Sequence, residues 1–411
     1  MFDTGNTGFM LLATSLVMLM TPGLAFFYGG LVGRKNVLAI MMQSFVSMGV
    51  TTIIWWAFGY SLCFSGDVGG VIGNLDMAFL RGIDLSTPYA GTAKIPLFVF
   101  VAYQMMFAII TPALITGAFA NRIRFGAYLI FLVGWLVFVY FPFVHMVWGG
   151  GLLHQWGVLD FAGGIVVHAI AGMAALASVF FVGRRRVKEI GMHSIPLVAL
   201  GTGLLWFGWY GFNAGSELAV DAVTGQAFLN TDIAASFAGP TWMLLAWIFE
   251  KKPKFTGLLT GAVAGLATIT PCAGYVTANT AVLIGIASGT VCYFAVSLKN
   301  RLQWDDALDV WGVHGVGGIL GTIALGVFAS KAVNPAGADG LLAGNTNFFL
   351  VQTAAALGAG VYAFAFTYGM LWLINKLTPV KVTEDEERDG LDTALHGEKA
   401  YDDDLAASPE V

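Results

Sequence analysis

Two histidines inside long apolar stretches are the residues of this sequence that first suggest chemistry. His168 ends the segment Asp160-Phe-Ala-Gly-Gly-Ile-Val-Val-His and leads into an apolar run that reaches Val182. His314 lies in a second apolar run, shortly after Asp309, so both stretches place an aspartate ahead of a histidine. An ionisable ring in such a run costs free energy and commonly carries function. We therefore expect two helices that bring the histidines to one site.

Three interpretations of the histidine pair stay open on the residues alone. Each ring could be a core histidine that is hydrogen-bonded to a neighbouring helix. A metal pair is disfavoured, because no carboxylate or cysteine stands at ligand spacing on either helix. Two neutral imidazoles in contact can also pass hydrogen bonds or a proton through an apolar lumen. Asp160 is placed to cap the first of these helices, and its charge would also stabilise an approaching cation.

Aromatic residues form a second group of candidates. Trp148 lies in His-Met-Val-Trp-Gly-Gly-Gly, Phe107 ends Tyr-Gln-Met-Met-Phe, and Phe212 precedes Ser216 in Phe-Asn-Ala-Gly-Ser. Together they offer ring faces and a hydroxyl, which suit a small cation through cation–π attraction. The alternatives are an interfacial tryptophan belt and ordinary core phenylalanines.

The composition predicts an integral membrane protein that needs helices to position these residues. The 411 residues are 57% hydrophobic and 11% charged, and their mean hydropathy is +0.76. Too few charges remain to cover a soluble globule, and nothing in the sequence suggests nucleic-acid binding. The three cysteines lie far apart, so neither a disulfide framework nor a zinc site is expected. No nucleophile–base pair appears, so we expect neither an enzyme nor a cofactor.

Apolar runs near the spanning length predict eleven membrane helices. The start of the chain lacks the basic region of a cleavable signal, so the first run is interpreted as a helix of the mature protein. The expected spans are 9–33, 37–64, 96–119, 125–143, 161–183, 195–214, 231–249, 255–272, 279–298, 310–330 and 348–375.

Basic residues cluster in alternate gaps between these spans. By the positive-inside rule those gaps are cytoplasmic, which places the N-terminus outside and the charged tail inside. The clusters are Arg34 and Lys35, Arg122 and Arg124, Arg184 to Arg186 with Lys188, Lys251, Lys252 and Lys254, and Lys299 with Arg301.

The two Asp-to-His helices, the fifth and the tenth, indicate an internal repeat. We expect an all-α membrane fold of two inverted five-helix repeats plus a final helix. Repeats of this kind place a pathway at their interface near the bilayer midplane. The expected organisation is a transmembrane domain over residues 1–376 and a cytoplasmic C-terminal tail over residues 377–411.

Six stretches of the sequence resemble the ammonium transporter (Amt/MEP/Rh) family, on its bacterial Amt side. They cover nearly the whole chain in the family's order. They are 26–31, 117–125, 145–152, 160–168, 208–216 and 313–318. The resemblance implies a homotrimer of eleven-helix subunits in the cell (inner) membrane, each subunit with its own narrow pore for ammonium or ammonia and also methylammonium.

The resemblance also implies roles for the aromatic residues. Trp148, Phe107 and Ser216 match the family's outer substrate-binding site, with Gln104 nearby. Phe107 and Phe212 match the stacked phenylalanine gate of the pore.

The remaining pore residues match as well. His168 and His314 correspond to the twin-histidine pair of the lumen, and Asp160 to the structural carboxylate. Asn121 departs from the family, where many relatives have glutamate, and this change is expected to alter a local salt bridge without touching the pore.

The charged tail resembles the family's ordered regulatory tail, with Gly390, His396 and Tyr401 in its motifs. The resemblance implies that the tail packs on the cytoplasmic loops and serves control by a PII-type signalling protein. The last ten residues have the composition of a disordered acidic tail. The function expected from these features is ammonium uptake, with capture, deprotonation and conduction of ammonia. The alternative is an ammonium sensor with little flux.

Overall fold

The protein is an all-helical bundle in this computed structural model, which describes residues 1–91, 93–187 and 191–401. Within these described residues, ten helices are long and apolar enough to cross a membrane, and an eleventh apolar helix has 15 residues. Three isolated bridges are the only extended pairings in the described part of the chain. The predicted all-α membrane fold is confirmed. The helices are α1 (Thr4–Leu31), α2 (Arg34–Phe64), α3 (Leu97–Ile115), α4 (Phe125–Gln155), α5 (Gly164–Val182), α6 (Ile195–Glu217), α7 (Ala222–Glu250), α8 (Phe255–Ile269), α9 (Ala278–Arg301), α10 (Trp311–Phe328) and α11 (Thr346–Leu377).

Two helices extend well beyond the predicted spans, and each extension has a local cause. Helix α7 begins at Ala222 instead of residue 231, because the Asp221 side chain accepts hydrogen bonds from two backbone N–H groups of the first turn. A polar first turn of this kind is overlooked when only apolar residues are counted. Helix α4 continues past residue 143 although it contains Pro142. Proline cannot donate to the carbonyl four residues earlier, and that carbonyl, of Phe138, instead accepts a hydrogen bond from the Tyr362 hydroxyl.

Glycines allow α5 and α10 to touch backbone to backbone. A β-carbon on Gly172 would lie 2.0 Å from the backbone nitrogen of Gly315. A β-carbon on Gly318 would lie 2.6 Å from the nitrogen of Ala169. Only glycine permits such an approach, as is common where helices pack in lipid. The crossing therefore brings together the two helix segments that carry the histidines.

The aspartate that corresponds to Asp160 in the second half is Asp306, and the expected correspondence with Asp309 is wrong. Asp306 precedes His314 by the same eight residues that separate Asp160 from His168. Its carboxylate accepts hydrogen bonds from the first N–H groups of α10, at 3.1 and 2.8 Å. Asp309 instead has a positive φ of 61° and pairs with Lys299.

The segment after α11 folds back onto the loops that carry the basic clusters. It contains two short helices, α12 (Glu384–Asp389) and α13 (Leu391–His396). Glu386 forms an ion pair with Arg124 at 2.8 Å. The Asp392 carboxylate accepts hydrogen bonds from Leu38 N at 3.0 Å and Ala39 N at 2.7 Å, which caps the first regular turn of α2. The tail and these loops thus share one face of the bundle. Lys188 and residues 402–411 lie outside the described residues.

Asn121, the residue that departs from the family pattern, lies in the loop between α3 and α4. Its φ is +66°, in the left-handed region. Asparagine tolerates this region better than most residues that carry a β-carbon. The local backbone therefore favours asparagine at this position.

Candidate functional site

Five ring side chains from five helices form a continuous column through the bundle. Trp148 contacts Phe107 edge to face, with centroids 5.9 Å apart. Phe107 stacks on Phe212 at 4.2 Å. Phe212 lies 6.0 Å from the His168 ring, which lies 5.2 Å from the His314 ring. We call these residues the ring column. The structure thus brings together the aromatic and histidine candidates that are dispersed along the sequence.

The two histidines are buried and face each other through the same ring atom. Nδ1 of His168 lies 3.2 Å from Nδ1 of His314, and the residues are 1% and 4% exposed. If both rings are neutral, one Nδ1 carries the hydrogen and the other offers its lone pair, so the two rings hold opposite tautomers. Nε2 of His168 has no hydrogen-bond partner among the described residues. It is available to a small hydrogen-bonding molecule.

Trp209 supports the histidine pair, although it is not among the candidates that the sequence motifs indicate. Its ring stacks on His168 with centroids 5.4 Å apart. Its indole N–H donates to the Thr270 hydroxyl at 2.9 Å, which holds the ring in place. The signal in the sequence is its position three residues before Phe212, which puts both rings on one helix face.

The lumen around the two histidines, beside Phe212, is narrow and apolar. Its cavity has a volume of about 10 Å³, close to the space that one water-sized molecule needs. Besides the rings of His168, Trp209, Phe212 and His314, the lining residues are Met20, Leu24, Phe27, Ile110, Leu114, Val167, Leu205 and Val263. A charged species here would lose its hydration without gaining a counter-charge.

A wider cavity of about 340 Å³ opens at the Trp148 end of the column, and we call it the aromatic vestibule. The Trp148 indole donates to the Asp160 carbonyl at 2.8 Å and is thereby fixed in orientation. The Ser216 hydroxyl donates to the Phe212 carbonyl at 2.9 Å, so it can offer lone pairs to a ligand. The buried Oε1 of Gln104 has no hydrogen-bond partner among the described residues. The vestibule therefore presents acceptors and ring faces, which suit a cation that donates hydrogen bonds.

The Asp160 carboxylate is fully engaged at the start of α5. It accepts four backbone N–H groups, from Gly163 at 2.8 Å, Gly164 at 2.6 Å, Ile165 at 2.8 Å and Val166 at 3.2 Å. The residue is 6% exposed. Its geometry is that of a helix cap, and it positions the turn that carries His168 while its own carbonyl holds Trp148.

A second wide cavity, of about 400 Å³, opens on the face that carries the tail. Arg185 lines it and forms an ion pair with Asp305 at 2.6 Å. Burial tends to raise the pKa of the Asp305 carboxyl, but the hydrogen bond from Arg185 and the charge of Arg122 outweigh it and lower the pKa to about 2. Burial lowers the pKa of Arg122 to about 10, while the Asp305 charge opposes this shift. This ion-pair cluster joins the loops after α3, α5 and α9.

The predicted tail residues lie where the tail packs against the loops that carry the basic clusters, on the face opposite the aromatic vestibule. Gly390 has a φ of +93°, and a β-carbon there would lie 2.7 Å from the Lys35 carbonyl. The Tyr401 hydroxyl lies 2.9 Å from Nε2 of His193. The His396 ring packs edge-on against Phe125 at 5.1 Å.

A metal site finds no support in the part of the chain that is described, where no three His, Cys, Asp or Glu side chains are grouped closely enough to hold an ion.

Comparison with known proteins places the chain beside ammonium transporters over nearly its full length. The family model described as "Ammonium Transporter Family" matches residues 8–401. The "Ammonium transporter" of Bacillus subtilis (strain 168) is 46% identical over 403 residues, which are 98% of this chain and 99% of that protein. The crystal structure of Candida albicans Mep2 superposes with a TM-score of 0.89 at 37% identity and covers 100% of this chain and 93% of that one. A structure titled "Sensor Amt Protein" gives 0.87 at 30% identity, with 95% and 98% covered.

Proposed function

Because this chain belongs to the ammonium transporter family, we propose that it moves ammonium across the cell membrane by conducting ammonia along the ring column. The observation that carries this proposal is the buried Nδ1–Nδ1 contact of His168 and His314 in an otherwise apolar lumen. The histidines are the polar hydrogen-bonding groups that a small neutral molecule would meet on its way through.

Capture takes place in the aromatic vestibule. Ammonium binds against the ring faces of Trp148 and Phe107, where cation–π attraction contributes about 1–2 kcal/mol in a partly desolvated site. The lone pairs of Ser216 and Gln104 accept its hydrogen bonds. The stacked rings of Phe107 and Phe212, 4.2 Å apart, close the way below and must separate for passage.

Deprotonation is the step that makes transport selective for ammonium over potassium. Burying an isolated charge in the lumen costs about ten kcal/mol or more by Born arguments, so the neutral molecule passes. Ammonium can release a proton and become ammonia, whereas K⁺ has no proton to lose. The proton either returns to the outer solution, which makes transport electroneutral, or follows along the histidine pair, which makes it electrogenic.

The same proposal includes an orientation and an assembly. The basic loops and the tail face the cytoplasm of the inner membrane by the positive-inside rule, and the N-terminus lies outside. The family resemblance supports a homotrimer and a PII-type partner at the face where the tail docks. Residues 1–376 form the transport domain and 377–411 the regulatory tail in this scheme. Removing residues 382–411 is expected to lower flux or uncouple it from the signalling protein; normal flux with full control would contradict the regulatory role.

Ammonium flux in reconstituted vesicles tests the transport mechanism. Wild-type protein is expected to pass ammonium and methylammonium but not K⁺, with a current that reports the route of the proton. His168→Ala and His314→Ala are expected to abolish the flux or relax its selectivity while the trimer stays folded in gel filtration. Unchanged flux and selectivity in both variants would refute the role of the pair.

The second candidate function is an ammonium sensor. The likeness to the structure titled "Sensor Amt Protein" is the observation that favours it. Ammonium-dependent stabilisation of the purified protein without flux in the same vesicles would support the sensor over the transporter.

A further inference from the structure

Glu217 places a carboxylate on the wall of the aromatic vestibule. The transport mechanism proposed above assigns no role to this residue. It directly follows Ser216 and ends the single turn of 3₁₀ helix at Gly215–Glu217. The next residue, Leu218, adopts a left-handed φ of +62°, which ends this turn. The side chain is half-buried and lines the same cavity as Trp148.

The Glu217 carboxylate is chemically free, unlike its acidic neighbours. No hydrogen bond or ion pair engages it among the described residues. Both carboxylate oxygens of Asp160, the other acidic residue of the vestibule, accept hydrogen bonds from backbone N–H groups, four in total. Asp221 caps the first turn of α7 by accepting from Val223 N at 2.9 Å. A half-buried carboxylate without a partner loses hydration and gains nothing, so a cation bound beside it would offset that cost.

An independent observation points to a ligand in the same cavity. Gln104 is 9% exposed and lines the vestibule, and its buried Oε1 has no hydrogen-bond partner among the described residues. A buried amide oxygen without a donor is costly in a folded protein unless a bound species supplies one. Ser216 adds an oxygen whose own hydrogen is committed to Phe212. The Gln104 oxygen therefore lacks a donor, and Glu217 adds a carboxylate without a partner to the same wall.

We propose that Glu217 forms an outer subsite of the vestibule that concentrates small monovalent cations ahead of the site between Trp148 and Phe107. This inference rests on the proposed transport function and adds a first station to it. A carboxylate in a wet cavity attracts NH₄⁺ and K⁺ alike, because it senses charge more than hydrogen-bond geometry. Selection then occurs deeper, at the rings, and K⁺ competes with ammonium for entry only.

The experiment compares transport by the full chain in vesicles for wild type, Glu217→Gln, Glu217→Asp and Asp84→Asn. Asp84 lies fully exposed in the loop before α3, so its change removes one charge from the same face without altering the vestibule. At about 20 mM salt and pH about 8, Glu217→Gln is expected to raise the apparent KM for ammonium about three- to tenfold, the effect of one unit charge at roughly 6 Å in a dielectric of about 40–80. The difference should fall below about twofold at roughly 300 mM salt, where the charge is screened. Maximal flux should not change.

Two further comparisons complete the design. K⁺ should compete weakly with ammonium in wild type and Glu217→Asp but not in Glu217→Gln. Asp84→Asn should behave as wild type. Equal KM values for wild type and Glu217→Gln at low salt, or a shift of the same size in Asp84→Asn, would overturn the subsite while leaving the transport function intact.

A readout without transport separates the two proposals. Crystals of wild type and Glu217→Gln are soaked in caesium chloride, and the anomalous signal locates the cation. Density beside the Glu217 carboxylate that is lost in Glu217→Gln supports the subsite. Density confined to the rings, or none, contradicts it. If wild-type vesicles carry no ammonium, the proposed function fails, and the caesium density alone decides the subsite.

Discussion

Replacing Asp160 with asparagine removes a charge and half of a helix cap with almost no change in shape. The carboxylate accepts four backbone N–H groups, two on each oxygen. An asparagine side chain has one acceptor oxygen, and its NH₂ group would face the other two donors. Each buried N–H left unpaired costs about 1–3 kcal/mol, so the variant should lose on the order of 2–6 kcal/mol of stability around the start of α5.

The effect on transport follows from what this turn holds. It carries His168, and the Asp160 carbonyl accepts from Trp148, so a frayed turn displaces both Trp148 and the histidine pair. We expect a clear loss of maximal ammonium flux together with a lower midpoint of thermal unfolding in detergent. Asp306→Asn is the matched control, because the Asp306 carboxylate accepts two N–H groups and should lose about half as much stability without moving Trp148.

Asp160→Glu separates the cap from the charge. If a fixed anion aids capture by its field alone, glutamate should retain the apparent affinity for ammonium. If the hydrogen-bond geometry matters, the longer side chain should fail as asparagine does. Wild-type unfolding and wild-type transport in Asp160→Asn would refute this role of the cap, since four hydrogen bonds would then carry no measurable weight.

Three more outcomes are expected. Trp148→Leu should raise the apparent KM roughly tenfold through loss of about 1–2 kcal/mol of cation–π attraction, while the exposed Trp156→Leu leaves it unchanged. Gly390→Asp should release the tail from the loops and make it sensitive to limited proteolysis. In the control Gly397→Asp the tail should stay protected, because Gly397 also has a positive φ but has open space around its β-carbon. Equal cleavage of the two variants would refute the steric argument. The pKa of Asp305 is lowered to about 2 in the folded protein, so its contribution to stability is present above pH about 4 and is lost as the pH falls towards 2. The difference in unfolding midpoint between wild type and Asp305→Asn should therefore shrink over that pH range. A constant difference would contradict the ion-pair assignment.

The sequence by itself determined the class of protein and singled out the residues of the ring column. Composition and run length demand membrane helices, because a backbone in lipid must satisfy its own hydrogen bonds. Burying an ionisable ring in an apolar segment costs free energy, so His168 and His314 are candidates for a functional site whichever residues they contact. Counting apolar residues failed where polar groups extend a helix, as at Asp221, since a capping interaction leaves no apolar signal.

Only the tertiary structure decided which groups meet and in what geometry. His168 and His314 are 146 residues apart in the chain, and their Nδ1 contact of 3.2 Å exists because Gly172 and Gly318 let two helix backbones touch. The free carboxylate of Glu217 is likewise invisible in the sequence, whereas the eight-residue spacing from Asp306 to His314 is visible there. Local sequence patterns indicate the free-energy cost of placing a residue in lipid. Which side chain that residue contacts depends on the shapes of the neighbouring helices and on the hydrogen-bond acceptors that they leave unpaired.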